Sequence, residues 1–137
     1  MEAPFGHISS LAASGSQVLG GSIPLVRART LSLTIRETCG ASIDADTTVG
    51  IYYSPDGNKW DSIVYTSWAI TFTASETIQR TVLIDPPEHG YLVVKITNGS
   101  SADVLTNIKG WFSIQSWDTP TPEVQRRGDI TTRESET

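Results

Sequence analysis

The chain has 137 residues, 38% hydrophobic and only 18% charged, with a formal net charge of −5. That length suits one domain, and the negative balance argues against a direct nucleic-acid partner, which would need surplus Lys and Arg to neutralise phosphates. A single cysteine, Cys39, excludes an intrachain disulfide and a cysteine-based metal site.

Residues 1–25 are rich in Gly, Ser and Ala, including Ser14-Gly15-Ser16 and Gly20-Gly21-Ser22. Such a segment offers little apolar surface to bury, so it is expected as an N-terminal arm, with one short strand drawn from Val18, Leu19, Ile23 and Leu25. The Met1-Glu2-Ala3-Pro4 start has no basic region followed by an apolar run, so no signal peptide is expected. No stretch approaches the roughly 20 apolar residues that span a bilayer, and no membrane partner is expected.

From Ala28 the period is that of half-buried strands. Leu31, Leu33 and Ile35 alternate with Thr30, Ser32, Thr34 and Arg36, and Val49, Ile51 and Tyr53 repeat the pattern. Ser54-Pro55-Asp56-Gly57-Asn58-Lys59-Trp60 then carries the chemistry of a turn. Pro presets φ, Asp accepts local backbone bonds and Gly supplies φ > 0, which predicts a hairpin with a returning strand over residues 59–65. Ile70 and Phe72 mark a short strand. Ile78, Val82 and Ile84 mark another, ended by Asp85-Pro86-Pro87, where two prolines remove donors. Tyr91-Leu92-Val93-Val94-Lys95-Ile96 is the strongest strand, with Leu92, Val94 and Ile96 on one face. The last strand covers residues 105–116, with Ile108, Phe112 and Ile114 inward.

Seven or eight short strands, regularly spaced and without a helical period, predict an all-β domain over residues 26–117. The expected form is a two-sheet antiparallel β-sandwich, jelly-roll or immunoglobulin-like, with extended N- and C-terminal arms. Residues 118–137 mix Pro, charges, Thr and Ser with almost no apolar residues, and read as an extended C-terminal tail that would be disordered alone.

Neither histidine sits in a pattern that supports catalysis. His7 belongs to the N-terminal arm and His89 to the turn Pro87-Glu88-His89-Gly90, with no nucleophile and orienting acid in register. Asp44, Asp46, Asp56 and Asn58 are oxygen donors in loops, but they lack the ordered D-x-D-x-D-G spacing of a dedicated calcium loop, and turn chemistry accounts for them. No phosphate-binding glycine loop is present either, so neither an enzyme nor a cofactor or metal is expected. Asn98-Gly99-Ser100 matches a glycosylation sequon and reads as a turn.

Four tryptophans remain to be placed. Core packing takes two or three of them on the simplest reading. Trp111 and Trp117 share one parity and Phe112 and Ile114 the other, so an inward Phe112 turns both tryptophans outward, toward a ligand or, as expected here, a subunit interface.

The segment Tyr53-Ser54-Pro55-Asp56-Gly57-Asn58-Lys59-Trp60-Asp61 resembles the S-x-D-G-x-x-W hairpin of small structural proteins of tailed bacteriophages. Gly90-Tyr91-Leu92-Val93-Val94-Lys95-Ile96-Thr97-Asn98 is similar to the Y-L-R-V-K-V-x-N strand that tends to follow it there. The hairpin also resembles the Asp-box of sialidase-like propellers, but Gly57 follows Asp56 one residue early and the motif occurs once.

The phage resemblance covers residues 28–117 and implies a non-enzymatic virion protein of head-decoration (cement) or tail type, made in the host cytoplasm. It implies as partners the major capsid protein or other virion proteins, with the chain a homo-oligomer on the particle. The residues expected to make those contacts are Phe5, His7, Ile8 and Leu11 in one arm, Val124, Arg126, Arg127 and Ile130 in the other, and Trp111 and Trp117. The rival is a carbohydrate-binding module or tail adhesin that stacks sugars on exposed Trp and Tyr.

Overall fold

A computed structural model describes residues 3–117. Val124, Arg126, Arg127 and Ile130, together with the rest of the expected C-terminal tail, lie outside the described residues.

Eight strands run in chain order: β1 (Gly6–Leu11), β2 (Ser16–Val26), β3 (Ala28–Cys39), β4 (Thr47–Ser54), β5 (Thr66–Ile70), β6 (Thr77–Ile84), β7 (His89–Asn98) and β8 (Leu105–Ser116). They form two antiparallel four-stranded sheets. Sheet A has the order β1-β8-β3-β6 and sheet B the order β2-β7-β4-β5. Successive strands alternate between the sheets except for β4 and β5, which are neighbours in sheet B, and this order is the jelly-roll form of the β-sandwich. Among the described residues there is no helix.

The inner faces carry the residues that period-2 patterning selects. Leu31, Leu33 and Ile35 from β3 meet Val49 and Ile51 from β4 and Leu92, Val94 and Ile96 from β7, all essentially without solvent exposure. Phe112 and Ile114 pack against this core from β8. The chain passes from sheet B to sheet A through one residue, Arg27, whose φ of 52° makes the corner between β2 and β3. At the open edge Arg80 of β6 donates from Nη1 to the Ala69 carbonyl of β5, 2.6 Å away, and ties the two sheets together.

Two expectations need correction. Residues 6–26 are not an arm: β1 pairs with β8 and β2 with β7, so the stretch supplies one strand to each sheet. Ile8, Leu11, Leu19, Ile23 and Leu25 are buried in the core. Burying each contributes roughly 1.5–3 kcal/mol, and the ladder hydrogen bonds to β8 and β7 hold the rest of the stretch in the sheets. Bulges hide the pattern. Pairing skips from Leu19 to Ile23 around Gly20, whose φ is 69°, and the buried residues of β1 are three positions apart. The second correction concerns residues 59–65. They form no strand; the connection from β4 runs irregularly to Thr66, where β5 begins.

Candidate functional site

The outward positions of sheet B make a shallow floor. Val18 of β2 lies beside Lys95 of β7, which pairs in turn with Gly50 of β4, itself opposite Ser67 of β5. One step along, Tyr52 pairs with Val93. These side chains are outward because Val49, Ile51, Val94 and Ile96, of opposite parity, are committed to the core.

The β4–β5 connection stands over this floor, and its first turn is fixed by local hydrogen bonds. Ser54 Oγ accepts from the Gly57 amide at 2.9 Å and donates to Asp56 Oδ1 at 3.1 Å. Asp56 Oδ1 accepts the Asn58 and Lys59 amides, each at 2.9 Å, and these donors hold the carboxyl below its ordinary range. The Asp61 amide then donates to the Tyr53 carbonyl at 2.9 Å and the Tyr65 amide to the Ile51 carbonyl at 2.7 Å. Trp60, 36% exposed, is held at the rim rather than carried on a loose loop.

The result is a cleft of about 630 Å³ lined by Val18, Tyr52, Trp60, Asp61, Val93 and Lys95, with the hydroxyls of Ser22 and Ser62. A second hollow of about 230 Å³ shares Tyr52 and Lys95 and continues over Gly50 to Thr48, Ser67 and Thr97. Lys95 Nζ lies 5.9 Å from the centroid of the Tyr52 ring, so the cation stands beside the aromatic where the two hollows meet. The size lies within the usual range for ligand clefts, and the lining combines apolar rings with a few polar groups.

The sequence-predicted contact residues do not meet there. Trp111 and Trp117 lie on the outer face of sheet A, on the opposite side of the sandwich. Arg36 stacks over Trp111 at 4.9 Å and Arg29 over Trp117 at 5.0 Å. Six residues of strand separate them, about 20 Å at the strand rise, so they are not one platform. Phe5 packs edge-on against Phe112 at 5.4 Å while its amide donates to the Gly110 carbonyl at 2.8 Å. His7 Nε2 donates to Asn107 Oδ1 at 3.1 Å. Ile8 and Leu11, expected as exposed arm contacts, are core residues.

Of the four tryptophans only Trp68 packs against the core, fewer than the two or three expected. Tyr52, Trp60 and Lys95 were not singled out as a group from sequence. Their one shared signal is outward parity in β4 and β7 combined with a turn that returns over the sheet.

The remaining chemical candidates are absorbed by structure. Asp44 Oδ1 accepts from Ser100 Oγ at 2.7 Å and Asp46 Oδ1 from the Phe72 amide at 3.1 Å. Among the described residues no three His, Cys, Asp or Glu side chains gather into a metal-binding group. His89 is exposed at the start of β7. The Asn98 amide is buried, donating to the carbonyls of Leu11, Ala12 and Asp103 while Oδ1 accepts the Ser100 amide, so the sequon nitrogen is fully engaged.

No protein-family model matches the sequence, and no curated protein matches it. Solved structures do match in fold. A carbohydrate-binding module, CBM4, aligns with a TM-score of 0.57 at 16% identity, over 80% of this chain and 70% of its own. A family 35 carbohydrate-binding module from an environmental isolate aligns at 0.42 and 19% identity, over 77% of this chain and 73% of its own. A chain of the cowpea mosaic virus top component, the naturally occurring empty particle, aligns at 0.39 and 12% identity, over 85% of this chain and 90% of its own. The first of these likenesses shows the sandwich fold.

Proposed function

We propose that this chain is a non-catalytic recognition domain that binds a carbohydrate chain across the outer face of sheet B. The observation that carries this reading is the juxtaposition of Tyr52 and Trp60 with Asp61, Lys95, Ser22 and Ser62 in one cleft. A pyranose has an apolar C–H face and a rim of hydroxyls, so it needs an aromatic surface and nearby polar groups. Trp60 and Tyr52 supply the surface. Asp61 accepts hydroxyl protons, and the serines serve as donor or acceptor. The adjoining hollow extends the floor beyond one ring, which suits a chain rather than a monosaccharide. The likeness of the sandwich to a carbohydrate-binding module is consistent with this, although jelly rolls host viral capsid and lectin domains alike. A glycan array probed with the full chain and with Trp60→Ala tests the reading. Saturable binding that is lost in the variant is expected; binding to no saccharide would refute it.

A second reading is a virion structural protein, most specifically a phage head decoration protein. It is favoured by one observation: the two segments that resemble phage structural proteins form a single unit, Ser54 pairing with Tyr91 and Gly57 resting on the Tyr91 ring. Its partners would be the major capsid protein or other virion proteins, with the chain a homo-oligomer on the particle. The outer face of sheet A, carrying Trp111, Trp117, Arg29 and Arg36, is the surface that contact would use, so docking and sugar binding fall on opposite sheets. Trp111→Ala with Trp117→Ala should weaken particle association and spare glycan binding; unchanged association would count against this reading.

A further inference from the structure

We infer that the carbohydrate taken by this cleft is acidic, its carboxylate or sulfate seated on Lys95 where the two hollows join. This rests on the carbohydrate reading and narrows it to a ligand class. The strands of sheet B contain no Asp or Glu, and Lys95 is their one Lys or Arg. It emerges at the middle of the floor, flanked by Val18 and Gly50. Among the described residues its ammonium makes a ring contact with Tyr52 and no ion pair. Asp61, the one acid lining the cleft, belongs to the rim connection rather than to the floor.

The ammonium of a half-buried lysine, beside an aromatic ring and not ion-paired among the described residues, offers an anion more than it would on an open surface, because the adjacent ring and valines lower the local dielectric. The neighbouring hollow adds the hydroxyls of Thr48, Ser67 and Thr97 as further donors around the same point. Gly50 keeps that floor open: a Cβ there would come within 3.4 Å of Tyr52 and 3.6 Å of Val64. A sugar ring resting on Tyr52 and Trp60 can therefore place a charged substituent at Lys95 without displacing any protein group. Carboxylate and sulfate share this chemistry, and the experiment separates them.

The full chain is titrated by calorimetry with oligogalacturonate, with its neutral methyl ester, with a sulfated oligogalactan and with neutral oligogalactan, in low and moderate salt. At least one charged ligand is expected to bind about fivefold to twentyfold more tightly than its neutral counterpart, less so in moderate salt. Lys95→Met should abolish that preference, whatever it does to the neutral affinity, while retaining the melting temperature; Lys109→Met, on the opposite sheet, should keep it. The better of the two charged series identifies the anion. Equal binding of charged and neutral ligands, or a preference that survives Lys95→Met, overturns this inference and leaves the carbohydrate reading intact. Binding of neither, with no saccharide bound on the array, overturns both.

Discussion

Gly57 rests on the ring of Tyr91. A Cβ at position 57 would lie 3.1 Å from Tyr91 Cδ1, and the backbone there has φ of 77°. This contact joins the β4–β5 connection to β7, and with the Ser54 and Asp56 turn it sets where Trp60 stands over the floor of sheet B. Gly57→Ala meets both a left-handed backbone and a tight ring contact. It is expected to cost about 1–2 kcal/mol in denaturant unfolding and to weaken saccharide binding by displacing Trp60. Unchanged stability and affinity would show that the turn does not position the rim.

The two aromatic faces should separate by mutation. Trp60→Ala and Tyr52→Ala are each expected to lower saccharide affinity about tenfold or more, because each ring supplies the apolar surface that a sugar's C–H face packs on. Trp60 lies at the rim, so its removal should leave the melting temperature nearly unchanged. Trp111→Ala should leave saccharide affinity unchanged, because that ring stacks with Arg36 on sheet A. Titration of the three variants with one bound oligosaccharide checks the pattern.

Glu37 gives the domain a pH dependence. The side chain is fully buried, Oε2 accepts from Thr47 Oγ1 at 2.7 Å and Oε1 has no hydrogen-bond partner. Burial raises its carboxyl above the ordinary 4.5, with the nearby Asp46 adding to the rise and the Thr47 and Cys39 bonds opposing it. The folded state therefore holds this proton more tightly than the unfolded chain does. Its stabilising contribution is complete below about pH 4.5 and is lost as pH rises through the raised value. Glu37→Gln keeps an acceptor for Thr47 and removes the titration. Melting temperatures from pH 4.5 to 8 should fall in the parent relative to the variant, and parallel curves would contradict this assignment.

Asn98→Asp should be severe. The side-chain nitrogen of Asn98 donates to three carbonyls, at 2.9, 3.2 and 3.3 Å, which belong to the β7–β8 loop and to the end of β1 and the turn that follows it. A carboxylate in its place would face those oxygens without a donor. The expected cost at neutral pH is on the order of 3 kcal/mol or more, measured by denaturant unfolding.

The sandwich was legible in the sequence wherever alternation was unbroken. Leu31-Ser32-Leu33-Thr34-Ile35 and Leu92-Val93-Val94-Lys95-Ile96 gave β3 and β7 with their inward faces. It failed in the N-terminal stretch, where Ile8 and Leu11 are three residues apart and the two extra residues between Leu19 and Ile23 break up a short apolar pattern, although all four are core. In β8 Ile108 was read as inward and is buried, although Asn107 before it takes a φ of 52°. The cleft was not legible, because it joins residues from three strands and a connection. Outward parity marked Trp111 and Trp117 equally well, but local parity cannot say which sheet faces a covering loop. That depends on the strand order, which only the assembled sheets reveal.

The most direct test of the central claim is a heteronuclear NMR titration of the full chain with the oligosaccharide that binds best on an array. Saturable shifts centred on the Trp60 indole, Tyr52 and Lys95, with the Trp111 and Trp117 indoles still, are the expected result. Shifts centred on Trp111 and Trp117, or no saturable shift with any saccharide, would contradict the assignment of sheet B as the binding face.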